Sequence, residues 1–567
     1  MPIEWLPVGI FYLGALLAAA SRGARWIALA TPIVAALVAM TLLSVGTAAD
    51  WPVMDYTLAA VRVDAMTLVF VGLFHLAALL AAIYALEWID RVQASSMLAY
   101  VGSGIGAVLA GDLVVLWLFW EMLALTSVVL IWARRTPEAT AAGIRYLVFN
   151  VVSGVVLLAG IAALASAGHD LAIGPSAGTI GLDSPGGWLV LIAFGIKAGF
   201  PLLHNWIPDG YANASLTGSV ILVAITTKVG VYSLARAFAG EELLMVVGTV
   251  MALWPLAYVL VEDDLRRVLA YSLMVQIGLM VVAIGAGNAI ALDGVTLHVV
   301  MDVLFKMLLF MALGAVLVQA GTVRASELGG LARRMPWTLG FVLVGTLANS
   351  ALPGTGAFVS KKLLLGGIEY AGIGPIWYGA LAGLSALGML YLGVRIVYQA
   401  FLRPPKQPVT AADASFPMRV AMGTITLLIV LAGLFPGLTD ALRPMGSDYN
   451  PFKLVKILDQ LQLLLFALLT WMLLAGRGFG LPEPGRRVLL DAEWVYRRLL
   501  PGAALAVAER LAAVRDAVVN LVRLSDRRPG NSRVAATLAR SWPIGSMAFW
   551  TVVVLAALLF AGIWRGI

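Results

Sequence analysis

The 567 residues include no cysteine. Disulfides, cysteine-ligated iron–sulfur clusters and thiolate zinc sites are therefore excluded. Histidine is scarce: His75, His169, His204 and His298 are the only four, which argues against a multi-histidine metal or haem centre. Charge is scarce as well. Charged residues make up 12% of the chain, where a soluble domain carries about 25%. Gly-rich phosphate loops, Ser-His-Asp spacing and dinucleotide fingerprints are missing. What is present is apolar: 61% hydrophobic residues and a mean hydropathy of +0.95. A chain of this kind takes lipid as its solvent. Its continuous apolar runs exclude an outer-membrane barrel, whose strands alternate.

A transmembrane helix needs about 20 apolar residues, and on that measure about 16 spans are predicted. They fall near residues 5–21, 26–45, 63–86, 96–111, 113–133, 141–167, 188–206, 214–236, 242–260, 268–287, 292–319, 338–372, 376–401, 416–436, 458–475 and 546–564. The first run has no basic leader and reads as a retained span. Helix breakers fall inside 188–206 and 338–372. The net charge of +7 is accounted for by loop arginines, so no nucleic-acid partner is expected.

Loops after odd-numbered spans hold Arg22, Arg25, Arg91, Arg134, Arg135, Arg266, Arg267, Arg324, Arg333, Arg334, Arg403 and Lys406. Loops after even-numbered spans carry almost none until Arg443, Lys453 and Lys456. The positive-inside rule then places the N-terminus outside. Residues 476–545 break the pattern. Leu505, Leu511, Val514, Val518 and Leu521 recur at helical spacing while Arg510, Arg515 and Arg523 fill other faces. That is an amphipathic helix with a basic side, lying on a surface or packed on a partner.

An ionisable group at membrane depth costs several kcal/mol unless paired or hydrated, so each is a functional candidate. Glu121 lies midway along an apolar run with nothing local to neutralise it. Lys197 is followed by Pro201, which has no amide hydrogen, so the carbonyl of residue 197 loses its i+4 donor where the helix must open. Lys228 is again mid-span. His298, Asp302 and Lys306 stand at i, i+4 and i+8, on one helix face. That spacing permits a proton relay through a histidine titrating near neutral pH, or a static Asp302–Lys306 pair. Lys361 follows a break at Pro353, Gly354 and Gly356 by about 12 Å, the pattern of broken transporter helices. Lys362 reads as a snorkelling boundary residue. Glu121, Lys197, Lys228, Lys306 and Lys361 thus form a lengthwise row, and the many glycines read as helix-packing contacts.

These motifs resemble the antiporter-like, proton-translocating membrane subunits shared by respiratory complex I, membrane-bound hydrogenases and Mrp-type sodium/proton antiporters. The resemblance spans roughly residues 60–440. It rests on Trp120–Glu121, Lys197 with Pro201, Trp206–Ile207–Pro208–Asp209, Lys228, Asp264 to Ser272 with Gln276, His298 with Lys306, and Phe358–Val359–Ser360–Lys361. It implies an all-α polytopic membrane protein of about 14 core helices with two inverted five-helix repeats. Helices 7 and 12 would be broken, with Lys197 and Lys361 in corresponding places, and a C-terminal amphipathic helix and further spans would follow. The implied segments are 1–95 (N-terminal helices), 96–238 and 239–401 (the repeats), 402–475 (C-terminal helices), 476–545 (the amphipathic segment) and 546–567 (a terminal anchor). By the same resemblance Glu121 and Lys197 form a switching ion pair, Lys228 is the central relay, and Lys306 and Lys361 lead to the exit. No cofactor is implied.

Asp209–Gly210–Tyr211, and Asp302 between His298 and Lys306, are similar to the D-type component of Mrp antiporters. The expectation is therefore a D-type subunit of a monovalent cation/proton antiporter in a bacterial inner membrane. Its partners would be other membrane subunits, protons and Na+ or K+. The alternatives are a proton-pumping subunit of a redox complex, a subunit energising inorganic carbon uptake, or an inactive scaffold. The tail beyond residue 476 and the missing prolines in 213–217 depart from the plain D-type pattern.

Overall fold

The structure is a computed structural model. It describes residues 2–53, 56–174, 178–405, 411–476, 491, 494 and 498–525. The chain forms two compact units, residues 1–489 and 490–567.

The first unit is helical. It begins with α1 (Leu6–Ala20), α2 (Ala24–Leu42), α3 (Ala65–Tyr84), α4 (Arg91–Leu109), α5 (Leu113–Trp132) and α6 (Pro137–Ser166). There follow α7 (Pro185–Ala198), α8 (Trp206–Asn213), α9 (Leu216–Leu222), α10 (Thr226–Ala237) and α11 (Leu243–Val259). The long central pair is α12 (Leu265–Ala286) and α13 (Ala289–Ala320). Then come α14 (Pro336–Asn349), α15 (Gly356–Tyr370), α16 (Pro375–Leu392), α17 (Phe416–Leu434), the short α18 (Pro436–Asp440) and α19 (Leu454–Gly476). The second unit contains α20 (Leu500–Ser525), inside the segment expected to form an amphipathic helix. The expected span 546–564 lies outside the described residues.

Among the described residues, 12 helical segments are long and apolar enough to cross a membrane, and α7 and α11 are shorter apolar helices. This is a multi-pass membrane protein. Helix starts are set by polar caps, which matters where no water can satisfy the free amides. Asp64 accepts from Thr67 N, Asp90 from Gln93 N, Asp112 from Val115 N, Ser184 from Gly187 N and Asn288 from Ala291 N. Small residues let backbones approach: α11 packs on α12 where a Cβ on Gly248 would lie 2.6 Å from Val282 N. The stretch Leu216–Ala237 and helices α12 and α13 are buried on every side, so they form the centre. Helices α1, α2, α17 and α19 turn apolar faces outward.

Both expected breaks are present. Between α7 and α8 the chain passes Gly199 at φ +87° and Leu202 at φ +68°. Between α14 and α15 it passes Ala351 at φ +57° and Gly354 at φ +94°. Lys197 lies before its break and Lys361 after its own. Three features were not expected. The predicted span 214–236 is itself interrupted between α9 and α10. Residues Gly393–Leu402 continue α16 as a π-helix. The loop after α2 is an antiparallel hairpin of β1 (Ala48–Val53) and β2 (Tyr56–Arg62).

Candidate functional site

Six of the seven candidate residues are fully buried. Lys197, Lys228, His298, Asp302 and Lys306 are 0% exposed and Lys361 is 1%. Glu121 is half-buried. It lies on α5 among Leu118, Met122 and Leu125, whose side chains are exposed. Its carboxylate packs on α6 at Gly154, where an added Cβ would collide with Oε1.

Lys197 ends α7. Its Nζ donates to the Trp120 carbonyl at 3.0 Å and sits 4.3 Å from the centroid of the Trp120 ring. Glu121 and Lys197 are not in ion-pair contact in this arrangement; the cation–π contact and the carbonyl hold the amine instead. Trp120 is fixed in turn, because its Nε1 donates to Ser153 Oγ at 3.0 Å and Ser153 donates to the Ala193 carbonyl at 2.8 Å. Helix α10 meets α7 at this point: a Cβ on Gly230 would lie 2.8 Å from Ala198 N.

Lys228, near the start of α10, donates from Nζ to Asp302 Oδ2 at 2.6 Å. Both side chains are inaccessible to solvent. Asp302 therefore pairs across helices and not with Lys306 on its own helix, the alternative that i,i+4 spacing left open. Its other oxygen, Oδ1, has no protein hydrogen-bond partner. His298 bridges two other helices. Its Nδ1 is 2.9 Å from Ser360 Oγ on α15 and its Nε2 is 3.2 Å from Gln276 Oε1 on α12.

Lys306 donates to Ser272 Oγ at 2.5 Å and to Asn349 Oδ1 at 2.8 Å. Lys361 donates to the main-chain carbonyls of Asn349 at 2.5 Å and Ser385 at 3.4 Å. The Asn349 carbonyl is free for this because residue 353, its i+4 partner in a helix, is proline. Lys362 is 6% exposed, and its amine is under the influence of the Glu369 and Asp459 carboxylates.

Lys197, Lys228, Lys306 and Lys361 thus share the buried interior, and among the described residues Asp302 is the one carboxylate paired to any of them. Unbalanced charges interact strongly at low dielectric, so gain or loss of a proton at one amine is felt at the others. Asn349, Ser153 and Ser385 were missed in the sequence. Asn349 gave one signal, as a polar side chain deep in an apolar span just before a proline.

Comparison with known proteins places the chain among the antiporter-like membrane subunits of the Mrp, complex I or hydrogenase type. Residues 110–386 match the family described as NADH:quinone oxidoreductase/Mrp antiporter, TM. The N-type subunit of NADH-quinone oxidoreductase from Desulforudis audaxviator is 32% identical over 372 residues, covering 62% of this chain and 74% of that protein. The chain belongs to this family. The D-type Na(+)/H(+) antiporter subunit of Bacillus subtilis is 27% identical over 318 residues, covering 53% of this chain and 64% of that one. A chain in the structure of the Mrp complex from Dietzia sp. DQ12-45-1b superposes with a TM-score of 0.75 at 23% identity, over 99% of this chain and 66% of its own, a likeness of fold. The chain spans about half the length of other curated relatives it matches, 51% to 59%.

Proposed function

We propose that this chain is the proton-translocating, D-type subunit of a multisubunit Na+ or K+/proton antiporter. Protons move between Glu121, Lys197, Lys228, His298, Asp302, Lys306 and Lys361, and cation movement takes place elsewhere in the complex. The chain is a transporter subunit and not itself an enzyme. It sits in a bacterial inner membrane with its N-terminus outside, among other membrane subunits.

The observation that carries this reading is the buried Lys228–Asp302 pair. It joins two helices at the centre of the bundle, between the lysine of the first break and the lysine of the second. A proton arriving on Asp302 neutralises it and releases Lys228; a proton leaving restores the pair. Such a pair contributes little net stability, so its retention in lipid points to use. The D-type assignment draws on Asp302 and Asp209–Gly210–Tyr211, together with the Bacillus subtilis relative. The relative from a quinone oxidoreductase favours a second reading, a proton-pumping subunit of a redox complex.

The test is cation-dependent ΔpH dissipation in inverted vesicles carrying the whole native complex, with and without Glu121→Ala. Sodium- or potassium-dependent proton movement without a redox substrate, lost in the variant, is the expected result. Proton pumping only on adding NADH, formate or hydrogen would replace the antiporter reading with the second one. Lys228→Ala is expected to abolish transport in an assembled complex. Wild-type behaviour of both variants would make the buried groups structural.

A further inference from the structure

We infer that Asn349 is the positioning residue that couples Lys306 to Lys361, with its side chain holding one amine and its main chain the other. This rests on the proton-transfer reading of the buried lysines.

Asn349 is the last residue of α14 and is fully buried. Its Oδ1 accepts from Lys306 Nζ at 2.8 Å and its carbonyl, freed by Pro353, accepts from Lys361 Nζ at 2.5 Å. One residue therefore touches both amines, which come from different helices. The second polar atom of the amide, Nδ2, is buried without a hydrogen bond of normal geometry, with the Tyr391 hydroxyl as its candidate acceptor. It faces α16, where a Cβ on Gly388 would collide with it. A buried amide donor without a well-made hydrogen bond is costly, and that cost has a use here. An ammonium on Lys306 offers only donors and requires Oδ1. A neutral amine also offers a lone pair. Once Lys306 has lost its proton, turning the amide about its Cβ–Cγ bond brings Nδ2 to that lone pair and satisfies it.

The amide is uncharged in both settings, so it follows the proton without trapping it. A carboxylate there would hold Lys306 charged. In the transfer itself an N–H bond breaks at Lys306 and one forms at Lys361, with a water molecule as the carrier. Asn349 gives and takes no proton. The groups facing it are Lys306 from α13, Lys361 from α15, Ser272 from α12 and Tyr391 from α16; the Asp302 carboxylate lies farther off and acts on both amines through its charge. Lys228 stands behind Asp302.

The experiment measures proton movement against pH in inverted vesicles of the whole complex for Asn349→Ala, Asn349→Ser and Asn349→Asp, with Lys228→Ala alongside and assembly followed on native gels. Asn349→Ala is expected to slow transport at least about tenfold, the loss of one hydrogen bond to a charged group. Asn349→Ser, whose hydroxyl both donates and accepts, is expected to recover part of it. Asn349→Asp is expected to displace the pH profile, a change that a merely structural asparagine would not produce. All three keep the main-chain carbonyl on Lys361. Normal rate and profile in Asn349→Ala and Asn349→Asp, beside a dead Lys228→Ala, would overturn the inference and leave the proton-transfer reading standing. Transport surviving in Lys228→Ala would remove both.

Discussion

Gly154 accepts a hydrogen bond from Trp117 Nε1 through its carbonyl at 3.1 Å, and what it gives Glu121 is the absence of a side chain. The Glu121 carboxylate occupies the space that a Cβ would fill, so Gly154→Ala is expected to push Glu121 off α6 and cut transport about tenfold. Gly72, with nothing within 4 Å of its notional Cβ, serves as the control, and Gly72→Ala is expected to transport normally. Equal rates in the two variants would sever Glu121 from the pathway. Asp302 gives a prediction on stability. Asp302→Ala leaves Lys228 without its ion-pair partner and is expected to lose about 3–5 kcal/mol, whereas Lys228→Met with Asp302→Leu is expected to lose far less. Thermal unfolding of the detergent-solubilised complex distinguishes them. The ionisable residues were legible in the sequence because charge in an apolar span is conspicuous. Their partners were not. Helical spacing offered Asp302 to Lys306, yet Lys228 takes Asp302, and Lys306 finds Ser272 and Asn349 on neighbouring helices. Spacing along one helix carries no information on what a second helix brings.

The breaks in the helices were legible where proline marks them, at Pro201 and Pro353, because a missing amide has the same consequence in any fold. The gap between α9 and α10 falls in Val223–Ala224–Ile225, residues with no breaking tendency of their own. Burial on every side and the hydrogen bond from Thr226 N to the Tyr100 hydroxyl at 2.8 Å open the helix there, so tertiary contacts decide. The π-helical Gly393–Leu402 is equally unmarked. The second proline break can be tested through its backbone. Ala351 holds φ +57°, a left-handed conformation that costs a non-glycine residue about 1–2 kcal/mol. Ala351→Gly is expected to be tolerated. Ala351→Val, with a branched Cβ in that conformation, is expected to lower the melting temperature and to slow transport by moving Asn349 away from Lys361. A normal Ala351→Val complex would show that the turn does not fix the site.

At the scale of the whole molecule, composition revealed the class and the alternation of arginines suggested the sidedness. The hairpin β1–β2 escaped notice, since short strands between spans leave little periodicity to read. Sidedness has a direct test, made easy by the absence of cysteine from the chain, because any introduced thiol is the only one it carries. Val45, in the loop after α2, and Glu138, at the start of α6, are both exposed. If basic loops stay inside, Val45→Cys in intact cells is expected to react with a membrane-impermeant maleimide. Glu138→Cys is expected to react only in inverted vesicles, beside the basic Arg134 and Arg135. The two positions are separated by α3, α4 and α5, an odd number of crossings, so they must label from opposite faces whichever way the protein sits. Labelling of both from one face would contradict the transmembrane path of those helices. Opposite labelling with Val45→Cys inside would keep the fold and reverse the direction in which protons cross it.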